Sequence, residues 1–182
     1  MQYKFKTEPY EHQLEALKRS WNKKEYAYFM EMGTGKSKVL IDNISVLYDK
    51  GGINAAVIVA PKGVYRNWSE KEIPTHMPEH VLRQIAVWNP APTKAQKKSL
   101  TDLFLPSDDL KILIVNVEAF STKKGVTFVE KFILSHNCLI AVDESTTIKN
   151  PKAQRTKNLL KLAVNTKYRR ILTGFPVTQS PL

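Results

Sequence analysis

The segment YAYFMEMGTGKSKVLI, residues 26–41, decides the fold. It starts as an apolar run, turns through two glycines and continues as a helical pattern with Leu40, Ile44 and Leu47 on one face. A strand, a glycine loop and a helix in that order are the context of a phosphate-binding loop. The glycines let backbone N–H groups surround phosphate oxygens, and the helix N-terminus adds a partial positive charge. The segment therefore predicts an α/β domain that binds a nucleotide.

The side chains of this loop predict the parts of a nucleotide site. Lys36 is expected to reach the β and γ phosphates, and the Ser37 hydroxyl is expected to ligate Mg²⁺. The longest form of the pattern has a glycine where this chain has Met30, so a flexible glycine turn with a surface lysine is the alternative. The residues of the loop predicted to bind the nucleotide are Gly33, Thr34, Gly35, Lys36 and Ser37.

An acidic pair, Asp143-Glu144, follows the most apolar run of the chain, residues 139–142. A carboxylate at the carboxyl end of a parallel strand lies where such sheets bind ligands. Asp143 is expected to hold Mg²⁺ through water, and Glu144 to orient and deprotonate the attacking water. An isolated Asp-Glu pair is usually a solvated loop. Downstream of a phosphate loop it predicts phosphoryl transfer, with Lys36, Asp143 and Glu144 as the catalytic residues.

Further apolar runs predict a mostly parallel sheet. They are rich in β-branched residues and lack polar alternation, which is typical of strands covered by helices on both faces. The purest runs are residues 55–60, 112–117 and 139–142, and less pure ones are residues 26–30 and 170–172. Helical patterns alternate with these runs, which favours crossover connections and a single three-layer α/β domain.

Two more helical patterns are well marked. The first is an apolar stripe, at spacings of four, three and four, formed by Tyr10, Leu14, Leu17 and Trp21. The second covers residues 152–164, with Asn150-Pro151 expected in the cap and first-turn positions. The stripe of the first helix is expected to face the core.

The composition is that of a globular domain with a basic surplus. The 182 residues include 28 Lys and Arg against 17 Asp and Glu, a formal net charge of +11. Such a surplus favours polyanion partners, because each neutralised phosphate releases counterions. The chain shows neither a signal peptide nor an apolar run near the roughly 18–20 residues that span a bilayer, so we expect a cytoplasmic or nuclear protein that is not secreted. The single cysteine, Cys138, agrees with a reducing compartment and is expected to be an inert core thiol.

The residues that begin with the acidic pair resemble a known family. The segment DESTTIKNP, residues 143–151, closely resembles the Walker B segment of Swi/Snf-type ATPases, which belong to helicase superfamily two. Further segments follow the order of that family's motifs, namely residues 8–13, 31–37, 59–62 with Asn67-Trp68 after them, 116–118 and 170–176. The resemblance therefore covers nearly the whole chain, from residue 8 to residue 176.

The resemblance also implies roles for residues outside the phosphate loop. Gln13 matches the glutamine that reads adenine in this family. Lys62 and Asn116 lie in motifs that contact the sugar-phosphate backbone of the nucleic acid. Thr173 and Gly174 lie in the coupling motif. The implied cofactors are ATP and Mg²⁺, and the favoured partner is duplex DNA.

The resemblance implies that residues 1–182 are one RecA-like lobe, the N-terminal half of a two-lobed motor with ATP and nucleic acid bound at the lobe interface. The arginine fingers belong to the second lobe, which this chain does not include. Such an arginine contributes ~10³–10⁵ in rate in related chemistry. We therefore expect weak nucleotide binding and poor turnover from this lobe alone.

The chain departs from the family pattern at two places. Ser145-Thr146 stand where the family has Ala or Gly followed by His, and Phe175 stands where it has Thr. Both changes affect the coupling of motifs and leave the ATP chemistry in place.

Several other features are predicted to be structural. Trp21, Trp68 and Trp88 are expected to pack in the core or on the lobe surface, although tryptophans also stack on bases in single-strand binders. The remaining basic residues are expected mostly on solvated faces, with an extended electrostatic track as the alternative for Lys94, Lys97, Lys98, Lys123, Lys124, Lys152 and Arg155.

Three other functions compete with a duplex-DNA translocase. A strand-separating helicase of the same superfamily shares the motifs, although residues 148–151 favour the translocase. A small-molecule or nucleoside kinase needs an arginine-bearing lid, for which the chain offers no candidate. A non-catalytic DNA-binding or scaffold module would keep the fold, but the intact phosphate loop and acidic pair argue against such decay.

Overall fold

The apolar runs form the strands of one sheet in a computed structural model that describes residues 3–30, 35–143 and 150–174. The strand order is β1-β6-β5-β2-β4-β3, and every neighbouring pair is parallel. The strands are β1 (Glu25–Phe29), β2 (Ala55–Ala60), β3 (Arg83–Val87), β4 (Leu110–Asn116), β5 (Cys138–Asp143) and β6 (Tyr168–Thr173). The prediction of a mostly parallel sheet is confirmed, and among the described residues the sheet is entirely parallel.

Helices connect the strands and cover both faces of the sheet. They are α1 (Glu11–Ser20), α2 (Lys36–Asp49), α3 (Tyr65–Asn67), α4 (Ile73–His76), α5 (Lys94–Asp102), α6 (Lys123–Ser135) and α7 (Gln154–Ala163). A π-helical turn, Trp68–Glu72, joins α3 to α4, and a 3₁₀ turn, Val117–Ser121, follows β4. In the described part of the chain, none of the helices has the length and apolarity needed to cross a bilayer.

The core has one half on each face of the sheet. Along β2, Ala56 and Ile58 point to the half that contains α1, α2 and α4, whereas Val57 and Val59 point to the half that contains α5, α6 and α7. All six residues of β2 are buried, as are those of β5. This burial on both faces explains why these strands are continuous apolar runs.

Three sequence-based predictions need correction. Tyr10 precedes α1 and is 71% exposed, so it does not belong to the buried stripe of that helix. The last helix begins at Gln154, because the Asn150 side chain accepts a hydrogen bond from the Lys152 N–H and forms a turn before it. The edge strand β3 was missed, because the polar residues that begin it interrupt the apolar run.

A buried arginine ties β6 to the helices on one face. The Arg170 side chain is 1% exposed and donates from Nε to Asn43 Oδ1 at 2.8 Å and from Nη2 to the Ser20 carbonyl at 2.9 Å. The Ser20 carbonyl is at the C-terminal end of α1, where a helix favours a positive charge. Burial lowers the pKa of Arg170. The arginine therefore holds α1 and α2 against the sheet.

A buried ion pair on α2 anchors the N-terminal segment. Lys38 Nζ donates to Asp42 Oδ2 at 2.8 Å, and the Tyr3 hydroxyl donates to Asp42 Oδ1 at 2.8 Å. The Lys38 ammonium also lies 5.1 Å from the centre of the Phe5 ring. Burial raises the pKa of Asp42, although the hydrogen bonds from Lys38 and Tyr3 act in the opposite direction. The segment that precedes α1 is thereby fixed on α2, the helix that follows the phosphate loop.

Candidate nucleotide-binding site

The phosphate loop leads directly into α2. Gly35 precedes the helix with φ 77° and ψ 37°, a left-handed conformation that favours glycine. A Cβ atom at this position would lie 2.0 Å from Gln13 Nε2, so a side chain is excluded by contact as well as by conformation. Gly33 and Thr34, which are predicted to bind phosphate, lie outside the described residues. The described end of the loop thus has the backbone that a phosphate-binding turn requires.

Gln13 connects α1 to the phosphate loop. Its side chain is buried, with Oε1 accepting from the Tyr10 N–H at 2.7 Å and Nε2 donating to the Gly35 carbonyl at 3.2 Å. The glutamine therefore lies beside the loop, where the family resemblance expects it. Its contact with adenine stays a prediction.

Lys36 and Ser37 are the first two residues of α2, and both are half-buried. Their position at the helix N-terminus places them where backbone N–H groups and the helix dipole favour an anion. The loop begins at the end of β1, so both residues lie at the carboxyl edge of the sheet.

Asp143 ends β5 at the same edge. Strands β1 and β5 flank β6. Phe29 of β1 pairs with Thr173 of β6, and Asp143 of β5 pairs with Leu172 of β6. These three strands therefore end together at the carboxyl edge of the sheet, where a site in a parallel sheet is expected. Asp143 is 8% exposed, and its Oδ2 accepts a hydrogen bond from Trp68 Nε1 at 2.9 Å. Glu144 lies outside the described residues.

The predicted coupling residues lie between the phosphate loop and Asp143. Thr173 is buried at the end of β6, and its carbonyl accepts from the Met30 N–H at 3.2 Å, just before the phosphate loop. Gly174 follows and is half-buried. Phe175 and the rest of the motif, like Ser145-Thr146, lie outside the described residues.

Lys62 and Asn116 lie further along the same edge and line one cavity of about 370 Å³. They come together because β2 and β4 are neighbours, with Ala60 paired to Asn116. Lys62 is exposed, and the Asn116 side chain accepts from the Glu118 N–H at 2.8 Å, which caps the 3₁₀ turn. Tyr65 and Arg66 of α3 line the same cavity. The two residues predicted to contact nucleic acid therefore share a single site.

Most of the other basic residues lie on solvated faces, as expected. Lys38, Lys111 and Arg170 are buried instead. Among the seven residues considered for an electrostatic track, Arg155 alone is half-buried, and it pairs with Glu118. Lys97 and Lys124 are exposed but lie close together, with Lys131, around a cavity of about 610 Å³. Cys138 is buried at the start of β5, and burial raises its pKa to about 12, which agrees with an inert core thiol.

The sequence also matches a family model over residues 12–181, described as the SNF2-related domain. The chain belongs to the SNF2-related domain family. It is therefore an ATPase- and helicase-type domain, as the motifs from the phosphate loop onward imply. No curated protein sequence matches this SNF2-related domain significantly.

Solved structures share the fold of this SNF2-related domain. The SWI2/SNF2 ATPase core of Sulfolobus solfataricus in complex with double-stranded DNA superposes with a TM-score of 0.74 at 22% identity, over 99% of this chain and 35% of that one. A second structure, of the Sulfolobus solfataricus SWI2/SNF2 ATPase core domain, gives a TM-score of 0.63 at 22% identity, over 94% of this chain and 34% of that one. The UvsW helicase of bacteriophage T4 gives 0.64 at 12% identity, over 92% of this chain and 53% of that one. The chain thus spans about a third to a half of these helicase-core chains, whose RecA-like fold it shares.

Two residues of this SNF2-related domain, one at the site and one that supports the fold, have roles that local sequence patterns do not predict. Trp68 is buried as predicted, but its hydrogen bond to Asp143 joins positions 75 residues apart, and no local pattern indicates it. Arg170 is predicted to lie in a strand, and no role is predicted for its side chain. An arginine inside an apolar run is a signal that could have shown it, because a buried charge needs several partners.

Proposed function

We propose that this SNF2-related domain is the ATP-binding lobe of a nucleic-acid-dependent motor that translocates on duplex DNA. The observation that carries the proposal is the common edge shared by two sites. The phosphate loop and Asp143 meet at the ends of β1, β6 and β5, and the Lys62–Asn116 cavity opens beyond the ends of β2 and β4. In this proposal, ATP chemistry and nucleic-acid binding use neighbouring strands of one sheet.

The residues of the nucleotide site have the chemistry that Mg·ATP requires. Ser37 and Asp143 offer a hydroxyl and a carboxylate, the hard oxygen donors that suit Mg²⁺. The ion supplies charge neutralisation on the phosphates when it is bound. In the proposed mechanism, Lys36 and the backbone of Gly33, Thr34 and Gly35 hold the phosphates.

The attack on the γ phosphate needs a positioned water. Glu144 directly follows Asp143, so we assign it to orient this water and accept its proton. Gln13 is assigned to adenine, next to the loop that it already contacts through Gly35.

A second RecA-like lobe completes the proposed motor. Its arginine would stabilise the charge of the transition state, and in related chemistry such an arginine is worth ~10³–10⁵ in rate. The solved helicase cores that share this fold are about two to three times as long as this chain, which supports a further lobe. Residues 1–182 are proposed as one lobe, with motifs from Gln13 to Gly174.

A strand-separating helicase is the second candidate. The similarity to the phage T4 helicase favours it, and the similarity to the Sulfolobus solfataricus SWI2/SNF2 core in complex with double-stranded DNA favours the translocase. The family match over residues 12–181 and the segment at residues 148–151 give the translocase the stronger support.

Binding of duplex DNA tests the nucleic-acid part of the proposal. Replacing Lys62 with alanine should weaken duplex affinity several-fold and lower the slope of log affinity against log salt by about one, because one phosphate contact is lost. Fluorescence anisotropy with a labelled duplex at several salt concentrations measures both quantities.

The matched control is Lys167→Ala. Lys167 is also exposed but lies at the amino end of β6, on the opposite edge of the sheet. The Lys167→Ala substitution removes the same charge and should leave the slope of log affinity against log salt nearly unchanged. Equal effects of the two substitutions would show that the Lys62–Asn116 cavity is not the binding site.

A further inference from the structure

Trp68 contacts the nucleotide site and lies two residues after a residue that lines the Lys62–Asn116 cavity. The Trp68 indole donates from Nε1 to Asp143 Oδ2 at 2.9 Å, and the two residues are 2% and 8% exposed. Hydrogen bonds to a carboxylate are strong and directional, and a low local dielectric strengthens them further. The indole therefore fixes the orientation of the carboxylate that is proposed to hold Mg²⁺.

The backbone at Trp68 is unusual. Trp68 begins the π-helical turn Trp68–Glu72, which interrupts the helix between α3 and α4. Pro74 follows this turn and has no N–H, so one regular helical hydrogen bond cannot form there. Turns of this kind are rare and occur frequently at functional sites.

The same helical segment lines the Lys62–Asn116 cavity. Tyr65 and Arg66 of α3 face that cavity, and Trp68 follows two residues later. The segment that lines the cavity through Tyr65 and Arg66 thus also carries the hydrogen-bond donor of Asp143. A shift of α3 would move the indole, and with it the carboxylate.

We infer that Trp68 is a positioning residue, which orients Asp143 for the nucleotide-bound Mg²⁺ and connects that carboxylate to the occupancy of the Lys62–Asn116 cavity. The inference rests on the proposed function, since it assumes that Asp143 holds the metal. It adds a link through which nucleic acid and Mg·nucleotide influence each other. Because linkage is reciprocal, each ligand should change the affinity for the other by the same factor.

The full chain with Trp68→Phe tests the role of the indole N–H. Phenylalanine keeps an aromatic ring in the core but cannot donate to Asp143. Calorimetric titrations with ADP are run once in the presence of Mg²⁺ and once in the presence of EDTA. The difference measures how much the metal increases the affinity for ADP. We expect Trp68→Phe to lower this metal-dependent gain by about 10-fold, as for other residues that orient a metal ligand. Affinity in EDTA should stay unchanged.

Trp21→Phe is the matched control, because it makes the same substitution at the end of α1, away from Asp143. It should behave as the unmodified chain in both titrations. A purely structural role for Trp68 would lower ADP affinity equally with and without the metal, and that result would overturn the inference.

A spectroscopic measurement keeps the test independent of how well Trp68→Phe folds. The chain has three tryptophans, so labelling with 5-fluorotryptophan gives a simple ¹⁹F NMR spectrum, in which Trp21→Phe and Trp88→Phe assign the Trp68 resonance by elimination. The Trp68 resonance should shift when Mg²⁺ is added to the ADP complex, and again when duplex DNA is added. ADP and DNA binding that leave this resonance unmoved would overturn the inference while the proposed function stands. Absence of saturable ADP binding by the unmodified chain would instead contradict the proposed function, and the inference would fall with it.

Discussion

Replacing Asp42 with alanine should lower the free energy of unfolding by about 3–5 kcal/mol. The substitution leaves the Lys38 ammonium without its carboxylate in a position where the lysine side chain is 4% exposed. It also removes the acceptor of the Tyr3 hydroxyl, which anchors the N-terminal segment. The Lys38 ammonium is then buried without its carboxylate, which carries the cost of lost hydration, and the half-buried Tyr3 hydroxyl loses this acceptor. Urea denaturation followed by circular dichroism measures the change.

The chain contains a matched control for this effect. Asp102 pairs with Lys98 at the same 2.8 Å and the same helical spacing, but the Lys98 side chain is 77% exposed. Asp102→Ala should therefore cost less than about 1 kcal/mol. A double replacement, Lys38→Met with Asp42→Leu, should recover much of the stability, because it removes both charges together. Similar losses for Asp42→Ala and Asp102→Ala would contradict the importance of burial for this pair.

Replacing Lys36 with alanine should weaken Mg·ATP binding by about 10- to 100-fold, because a charge-assisted contact with the phosphates is lost. Lys36 is the first residue of α2, directly after the left-handed Gly35, and is the only lysine that the phosphate-loop pattern identifies. Calorimetric titration of Mg·ATP into the full chain measures the effect. We expect the unmodified chain to bind weakly but saturably.

Lys50→Ala is the control for this substitution. Lys50 follows the last residue of the same helix, at the end remote from the loop, and its ammonium lies 5.3 Å from the centre of the Trp21 ring. The control removes an equal charge and should leave Mg·ATP affinity unchanged. Equal weakening by the two substitutions would mean that the lysine acts through net charge and not through the phosphate loop.

The sheet and the edge that carries the site could be predicted because the decisive signals are local. Strands buried on both faces must be continuously apolar, so residues 55–60 and 139–142 indicated β2 and β5 directly. The acidic pair adjoins such a strand, and the glycine loop follows the less pure apolar run of β1. Their meeting at one edge then follows from the parallel direction of the strands.

Features that depend on neighbours distant in sequence were harder to predict. The edge strand β3 is covered less completely than the central strands, so its sequence tolerates Arg83 and Gln84 and loses the apolar signature. Tyr10 has helical spacing to Leu14 but lies before the first turn of α1, where the stripe already faces solvent. The spacing of apolar residues alone does not show at which residue a helix begins to pack against the core.

The polar contacts of the site also depend on residues that are distant in sequence. Trp68 is predicted to pack in the core, and it does, but its partner Asp143 ends β5, 75 residues further along the chain. Gln13 was identified by its place in the family order, whereas its contact with Gly35 depends on how α1 lies against the loop. Side-chain hydrogen bonds of this kind are set by the tertiary fold, and the sequence determines them only through that fold.

The most direct test of a nucleic-acid-dependent motor is ATP hydrolysis by a form of the protein that includes the proposed second lobe, measured with and without duplex DNA. We predict that duplex DNA stimulates hydrolysis and that Lys36→Ala in the same two-lobed form abolishes it. Single-stranded DNA and RNA are assayed alongside, since stronger stimulation by a single strand would favour the helicase. Hydrolysis that no nucleic acid stimulates would contradict the proposed motor.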